Sequence, residues 1–328
     1  MRKSIHPFIH FFPSLMLLSV LAACGASPTQ VIRQSASQAT PTIPLPTIEA
    51  VLTAQAALLS SPTPSALPPT PTATFTPTPR PGPSPEEWQQ WPVIPVVSAH
   101  AREIYARGIA RGNNPNAFSK VGDCQNIRQY FLGLFEEFQM KGTGYDDLQP
   151  VIDQFPQSYT RKSLAVKTGF NVASVLTSIN ADPTQCQAGE NPMACEYRLW
   201  NPSIVIISME TWAKDRPANL YETYMRQILD YTLSKDILPI LATKADNLEG
   251  DHTINRIIAK LAYEYDIPLW NFWLAVQPLP EKGLLEDGFH LTNGSMNYSD
   301  PNTFLKAWPV RNITALQALN AVWLAVKE

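Results

Sequence analysis

From Trp88 onward the apolar positions alternate between short continuous runs and longer stretches with apolar residues three and four apart. The short runs predict strands at 118–121, 163–167, 203–208, 237–241 and 267–272. Ser203-Ile204-Val205-Ile206-Ile207-Ser208 is apolar on both sides of the chain, the mark of a strand buried on both faces of a parallel sheet. Pro239 blurs the extent of the fourth run. The spaced stretches predict helices at 126–139, 217–235, 252–265 and 312–326. The first carries Ile127, Tyr130, Phe131, Leu134 and Phe135 on one face, and Asp251 is the expected N-cap of the third. Strand and helix alternate, so the expected fold class is α/β. It is read as a doubly wound, flavodoxin-like parallel sheet of about five strands with helices on both faces. Sites in such sheets lie outside the carboxyl ends of the strands.

The chain before Trp88 has a different pattern. Met1-Arg2-Lys3 is basic, the stretch 5–20 is mostly apolar, and Leu21-Ala22-Ala23 places small residues before Cys24. This order of basic, apolar and small-residue regions predicts a secretory signal over 1–23. A cysteine at that junction resembles the bacterial lipobox, which implies Cys24 as a lipid-attachment residue. The apolar run is short and carries Pro7 and Pro13, which argues against a spanning helix. Residues 24–86 are rich in Pro, Thr and Ser, as in Thr70-Pro71-Thr72-Ala73-Thr74. They cannot bury enough apolar surface to offset their ordering entropy, and read as an extended tether. The span 87–328 has the size of one α/β domain. The expected location is extracytoplasmic, held at the membrane through the lipidated N-terminus.

Charge changes the picture little. A net charge of −3 and a 16% share of charged residues point to neither nucleic acid nor polybasic membrane docking. A monomer is expected. Cysteine usage is more informative. Of 4 cysteines, Cys24 is assigned to lipid, which leaves Cys124, Cys186 and Cys195. Export permits disulfides, and Cys186 and Cys195 flank a turn-rich loop, so they are the expected pair. Cys124 is then odd, a free thiol or an intermolecular partner; a bridge from it to either of the other two stays open.

Two short texts fall at predicted strand ends. Gly122-Asp123-Cys124 comes after the first strand, and Asp287-Gly288-Phe289-His290-Leu291-Thr292 precedes the last helix. A nucleophile at a helix N-terminus gains from the dipole, which favours a thiolate. A carboxylate three residues before a histidine can hold the imidazole in one tautomer. Of His100, His252 and His290 in the domain, only His290 has such a carboxylate in a polar loop; His252 reads as surface.

These texts, with Gly169 after the second strand, resemble the ordered blocks of SGNH/GDSL hydrolases. The resemblance spans roughly 99–326, and Asp-Gly-Phe-His-Leu-Thr is its most specific piece. That family contains esterases, lipases, thioesterases and carbohydrate O-deacetylases with a Ser-His-Asp triad. Its oxyanion is held by the nucleophile's N–H, a glycine N–H and an asparagine side chain. The resemblance implies Cys124 as nucleophile, His290 as base, Asp287 as its orienting carboxylate and Gly169 as an oxyanion donor.

The chain departs from that pattern twice. Cys124 replaces the serine, and Met209-Glu210-Thr211-Trp212-Ala213-Lys214-Asp215 stands where the asparagine block belongs, with Trp212 nearest the missing donor. Losing one such donor costs about 2.7–4 kcal/mol, which the Trp212 N–H is expected to offset in part; a bulky indole filling the pocket is the alternative. Trp212 and Trp308 are candidates for stacking on sugar, and Trp270 and Trp273 for core or pocket wall. Asp246 and Asn247 follow the fourth strand at the site end. Glu210 and Asp215 have no histidine at ligand spacing, so no metal is expected, and no glycine-rich phosphate loop or other cofactor motif occurs. Two functions remain. One is a Cys-His-Asp hydrolase acting on acyl or acetyl esters, including those of envelope glycans. The other is a catalytically lapsed relative that binds glycan or lipid.

Overall fold

The structure, a computed structural model, describes residues 84–212 and 214–327. The signal region, Cys24 and nearly all of the tether lie outside the described residues. Four strands, β1 (Asn114–Gly122), β2 (Pro202–Ser208), β3 (Leu238–Ala242) and β4 (Leu269–Trp270), form one parallel sheet in the order β1-β2-β3-β4. The helices are α1 (Ala99–Arg111), α2 (Gln149–Gln154), α3 (Pro192–Trp200), α4 (Ala218–Ser234), α5 (Thr253–Tyr265), α6 (Phe272–Val276) and α7 (Ala307–Val326). Among the described residues no helix is long and apolar enough to cross a membrane.

β2 is buried along its whole length, as its unbroken apolar run requires. Pro239 fits β3 for a specific reason. The Leu241 N–H donates toward Pro268, so Pro239, two residues earlier, turns its missing donor to the same side before β4 begins. Ser98 caps α1 through the Ala101 N–H at 3.1 Å, and Asn191 caps α3 through Ala194 at 2.8 Å. The Cys186–Cys195 disulfide clips the loop leading into α3 to that helix. α7 begins at Ala307, earlier than the pattern suggests, because Pro309 is tolerated in a first turn.

Three expected elements are changed. The 126–139 helix is broken into short 3₁₀ turns, Cys124–Asn126 and Gly133–Glu136. Leu132 takes a left-handed conformation with φ 63°, and its N–H donates to the Asn312 side chain of α7 at 2.5 Å. Gly133 has no room for a side chain there, since a Cβ would fall 2.1 Å from the Arg128 carbonyl oxygen. Phe131, Leu132 and Phe135 are still fully buried, whereas Tyr130 is exposed. The 163–167 strand is reduced to one bridge, Gly122 to Val166. Side chains take its ladder groups: Ser163 Oγ donates to the Lys120 carbonyl at 2.7 Å, and the Leu164 N–H donates to Glu196 at 2.8 Å. The 267–272 strand shrinks to Leu269–Trp270, because Asn271 turns the chain into α6 and caps it through Leu274.

Candidate functional site

The strand register places Gly122 beside Ser208, Ile207 beside Leu241 and Ala242 beside Trp270, so the four carboxyl ends meet at one edge. Gly122 is required at that edge: a Cβ would fall 2.2 Å from the Asn126 amide nitrogen. The space lets Asn126 fold back and donate to the Ser208 carbonyl at 2.8 Å. Asp123, fully buried, accepts the N–H groups of Glu210 at 2.8 Å and Thr211 at 2.6 Å, and that of Gln125 at 3.0 Å. Its carboxylate therefore ties the turn after β1 to the turn after β2, leaving Cys124 half-buried at the top.

Cys124 is a free thiol. Burial, then the Asp123 and Glu210 carboxylates, push it up to about 11, opposed by a backbone hydrogen bond at Cys124 and by Arg311. The expectation of a dipole-stabilised thiolate is thus reversed. Cys124 opens a three-residue 3₁₀ turn, too short for a useful macrodipole, and burial dominates, reinforced by the nearby negative charge.

The Asp287–His290 contact is formed. His290 Nδ1 lies 2.6 Å from Asp287 Oδ2, and Asp287 Oδ1 accepts the N–H groups of Phe289 at 3.0 Å and His290 at 2.9 Å. The His290 hydrogen bond, with those two, pulls the Asp287 carboxyl down to about 2. Gly288, at φ 67°, makes this tight turn possible. Nδ1 is engaged by the carboxylate, so Nε2 is the ring nitrogen left for proton transfer. The loop is anchored by the Leu284–Leu291 bridge and by Thr292, whose hydroxyl donates to Gly283 and accepts from Ala307 N–H. It is joined to the Cys124 turn by the Gln125 amide, which donates to the Phe289 carbonyl at 3.3 Å. Both side chains of the pair are open to solvent.

Gly169 sits in an exposed left-handed turn with φ 83°, shortly after the Val166 bridge. The Trp212 N–H is not free for an oxyanion: it donates to the Arg216 carbonyl at 3.3 Å within its own loop. The stacking role expected of Trp212 and Trp308 also meets closed surfaces. Trp212 is buried against Tyr221 and the Arg216 guanidinium, and Trp308 is buried against Tyr130. Lys244, Asp246 and Glu249 form a buried ion cluster, with Lys244 Nζ 2.7 Å from Asp246 and 2.6 Å from Glu249. His252, expected at the surface, is half-buried, its ring packing on Trp88 and Trp273. Cys186, Cys195 and Glu190 lie within 4.8 Å of one another, but both sulfurs are already bonded to each other.

One pair was missed by sequence reasoning. Arg311 and Glu210 are fully buried and 2.5 Å apart beneath the Cys124 turn. Arg311 also donates to Ser208 Oγ at 2.9 Å and lies among the rings of Phe131, Trp270 and Phe272. Burial pushes the Glu210 carboxyl up to about 7 while Arg311 pulls it down. The available signal was that Arg311 is the single charged residue of α7.

No family model matches the chain, and no curated protein or solved structure matches it at significance.

Proposed function

We propose that the domain is an esterase-type hydrolase, held outside the cytoplasmic membrane through lipid on Cys24. The observation that carries this reading is the 2.6 Å Asp287–His290 contact on a loop tied to the Cys124 turn by Gln125 and Phe289. In this mechanism the Cys124 thiol attacks the ester carbonyl as His290 Nε2 takes its proton. The Asp287 carboxylate stabilises the imidazolium that forms. The Cys124 and Gly169 N–H groups hold the oxyanion. The alcohol leaves with the proton from His290, and water, activated by the same nitrogen, hydrolyses the thioester. A thiol raised to about 11 acts here as a serine hydroxyl does, neutral until the base removes its proton during attack. The Cys186–Cys195 disulfide supports an oxidising compartment. Under this reading the 163–167 segment stands in for a fifth strand of a doubly wound sheet, and the protein is a monomer acting on acyl or acetyl esters, those of envelope glycans included.

A second reading, a lapsed hydrolase that binds glycan or lipid, is favoured by the Trp212 N–H being engaged by Arg216. The two are separated by a panel of acetyl and longer acyl nitrophenyl esters with wild type, Cys124→Ala and Cys124→Ser. Turnover lost in Cys124→Ala supports the hydrolase. A wild type no faster than Cys124→Ala on every ester overturns it.

A further inference from the structure

Beside the Cys124 turn, between the edge strand β1 and the segment 161–168, lies a cavity of about 470 Å³. Its walls include five cationic side chains, Lys120, Arg128, Arg161, Lys162 and Lys167, and no carboxylate. In a chain with a net charge of −3, this is a pronounced local excess of positive charge. Only Arg161 among these five has an ion-pair partner within the described residues, the buried Glu196. Arg128 donates to the Thr160 carbonyl, Lys167 lies over the Phe170 ring, and Lys120 donates to the Tyr159 carbonyl at 3.0 Å. Asp182 is near enough to feel Lys162, but its oxygens are held by Thr184 and Gln185. Lys120 is 2% exposed, and burial followed by repulsion from Arg161 lowers its ammonium to about 7, against the pull of the Glu196 and Glu136 carboxylates behind the wall. Clustered like charges around a hollow repel one another, and an anion bound among them relieves that repulsion.

A second cavity, of about 370 Å³, lies near the opposite ends of the strands and differs in this respect. There Arg198 is paired with Glu190 and Arg111 with Asp236, so of its three lining cations only Lys235, over the Tyr231 ring, has no ion-pair partner among the described residues.

We propose that the larger cavity is an oxyanion-binding subsite, which holds a phosphate or carboxylate substituent of the ligand presented to Cys124. Asn126 is in its wall and lies two residues from Cys124, which places the anion beside the turn. The anion site stands on the cavity alone; only its service to Cys124 rests on the hydrolase reading. The three exposed cations, Arg128, Lys162 and Lys167, set its affinity, and the buried Lys120 lies behind them with its amino group donating to the Tyr159 carbonyl.

The test is calorimetric titration of the purified protein at low ionic strength with inorganic phosphate and, separately, with glucuronate. Saturable binding of either probe is expected, weakened by added salt and by roughly tenfold or more in the Arg128→Gln, Lys162→Gln, Lys167→Gln triple variant. The charge-keeping Arg128→Lys, Lys162→Arg, Lys167→Arg triple variant should keep it, and Cys124→Ala should not change it. The stronger of the two probes identifies the substituent. No saturable binding of either, or equal binding in the neutral triple variant with its near-ultraviolet dichroism intact, overturns the proposal. A protein that binds phosphate in this way yet cleaves no ester refutes the hydrolase reading and leaves the subsite standing.

Discussion

Arg311 reaches from α7 to within 2.5 Å of the Glu210 carboxylate, and both side chains are sealed from water. The pair joins the last helix to the turn after β2, directly beneath the residue proposed to react. Removing one partner of such a pair leaves the other charge buried. Arg311→Met is expected to lower stability by about 3–5 kcal/mol, read from urea unfolding. A change under about 1 kcal/mol would show that the pair contributes little.

The Glu210 carboxyl also makes stability depend on pH. Its folded value of about 7 lies above the unfolded 4.5, so the folded chain holds the extra proton between them. That contribution is full below 4.5 and is lost as pH rises through about 7. The difference in unfolding midpoint between wild type and Glu210→Gln should therefore change across this window. A constant difference from acid to neutral pH contradicts the assignment.

Lys120 acts in the opposite direction at higher pH. Its folded value of about 7 lies below the unfolded 10.5, so the unfolded chain binds more protons between them and stability rises with pH across that range. Lys120→Met removes this slope. If wild type and variant keep parallel midpoints from neutral to alkaline pH, the ammonium is not buried as described.

Cys124 should be a slow thiol. With its value at about 11, iodoacetamide labelling at neutral pH should lag behind that of an unstructured cysteine peptide and rise toward that pH. Glu210→Gln, which removes one of the opposing carboxylates, should speed it. Labelling at neutral pH as fast as the peptide would place the thiol in a different environment.

Breaking the Cys186–Cys195 bridge, which spans 9 residues, should cost about 2–3 kcal/mol from loop entropy alone. The double serine variant, compared with wild type by urea unfolding, measures it. An equal unfolding midpoint would mean that the clip does not stabilise α3.

The parallel sheet was legible where burial alone dictates it. The Ile204–Ile207 run forms the heart of β2, because a strand covered on both faces has no use for polar alternation. Legibility failed where distant side chains decide local structure. Phe131 and Phe135 are buried as their spacing suggests, yet the helix they imply is broken by Asn312, 180 residues away, at the Leu132 N–H. In the same way Glu196 captures the Leu164 N–H and takes a ladder group from the 163–167 strand. The Asp287–His290 pair was readable because three residues and one glycine suffice to form it. The Arg311–Glu210 pair was not, since its halves lie far apart along the chain. Distance was not the obstacle for Trp212, which is engaged by Arg216 only four residues on: a loop without periodicity gives no direction for an indole.

The most direct test of the proposed chemistry is acyl transfer to Cys124. The protein is mixed with p-nitrophenyl acetate, nitrophenol release is followed, and the peptide carrying Cys124 is weighed by mass spectrometry. The proposed mechanism predicts a burst with acetyl on Cys124, absent in Cys124→Ala and slowed by roughly 10²–10⁴ in His290→Ala. Equal release by wild type and Cys124→Ala, with no acetyl on that peptide, contradicts it.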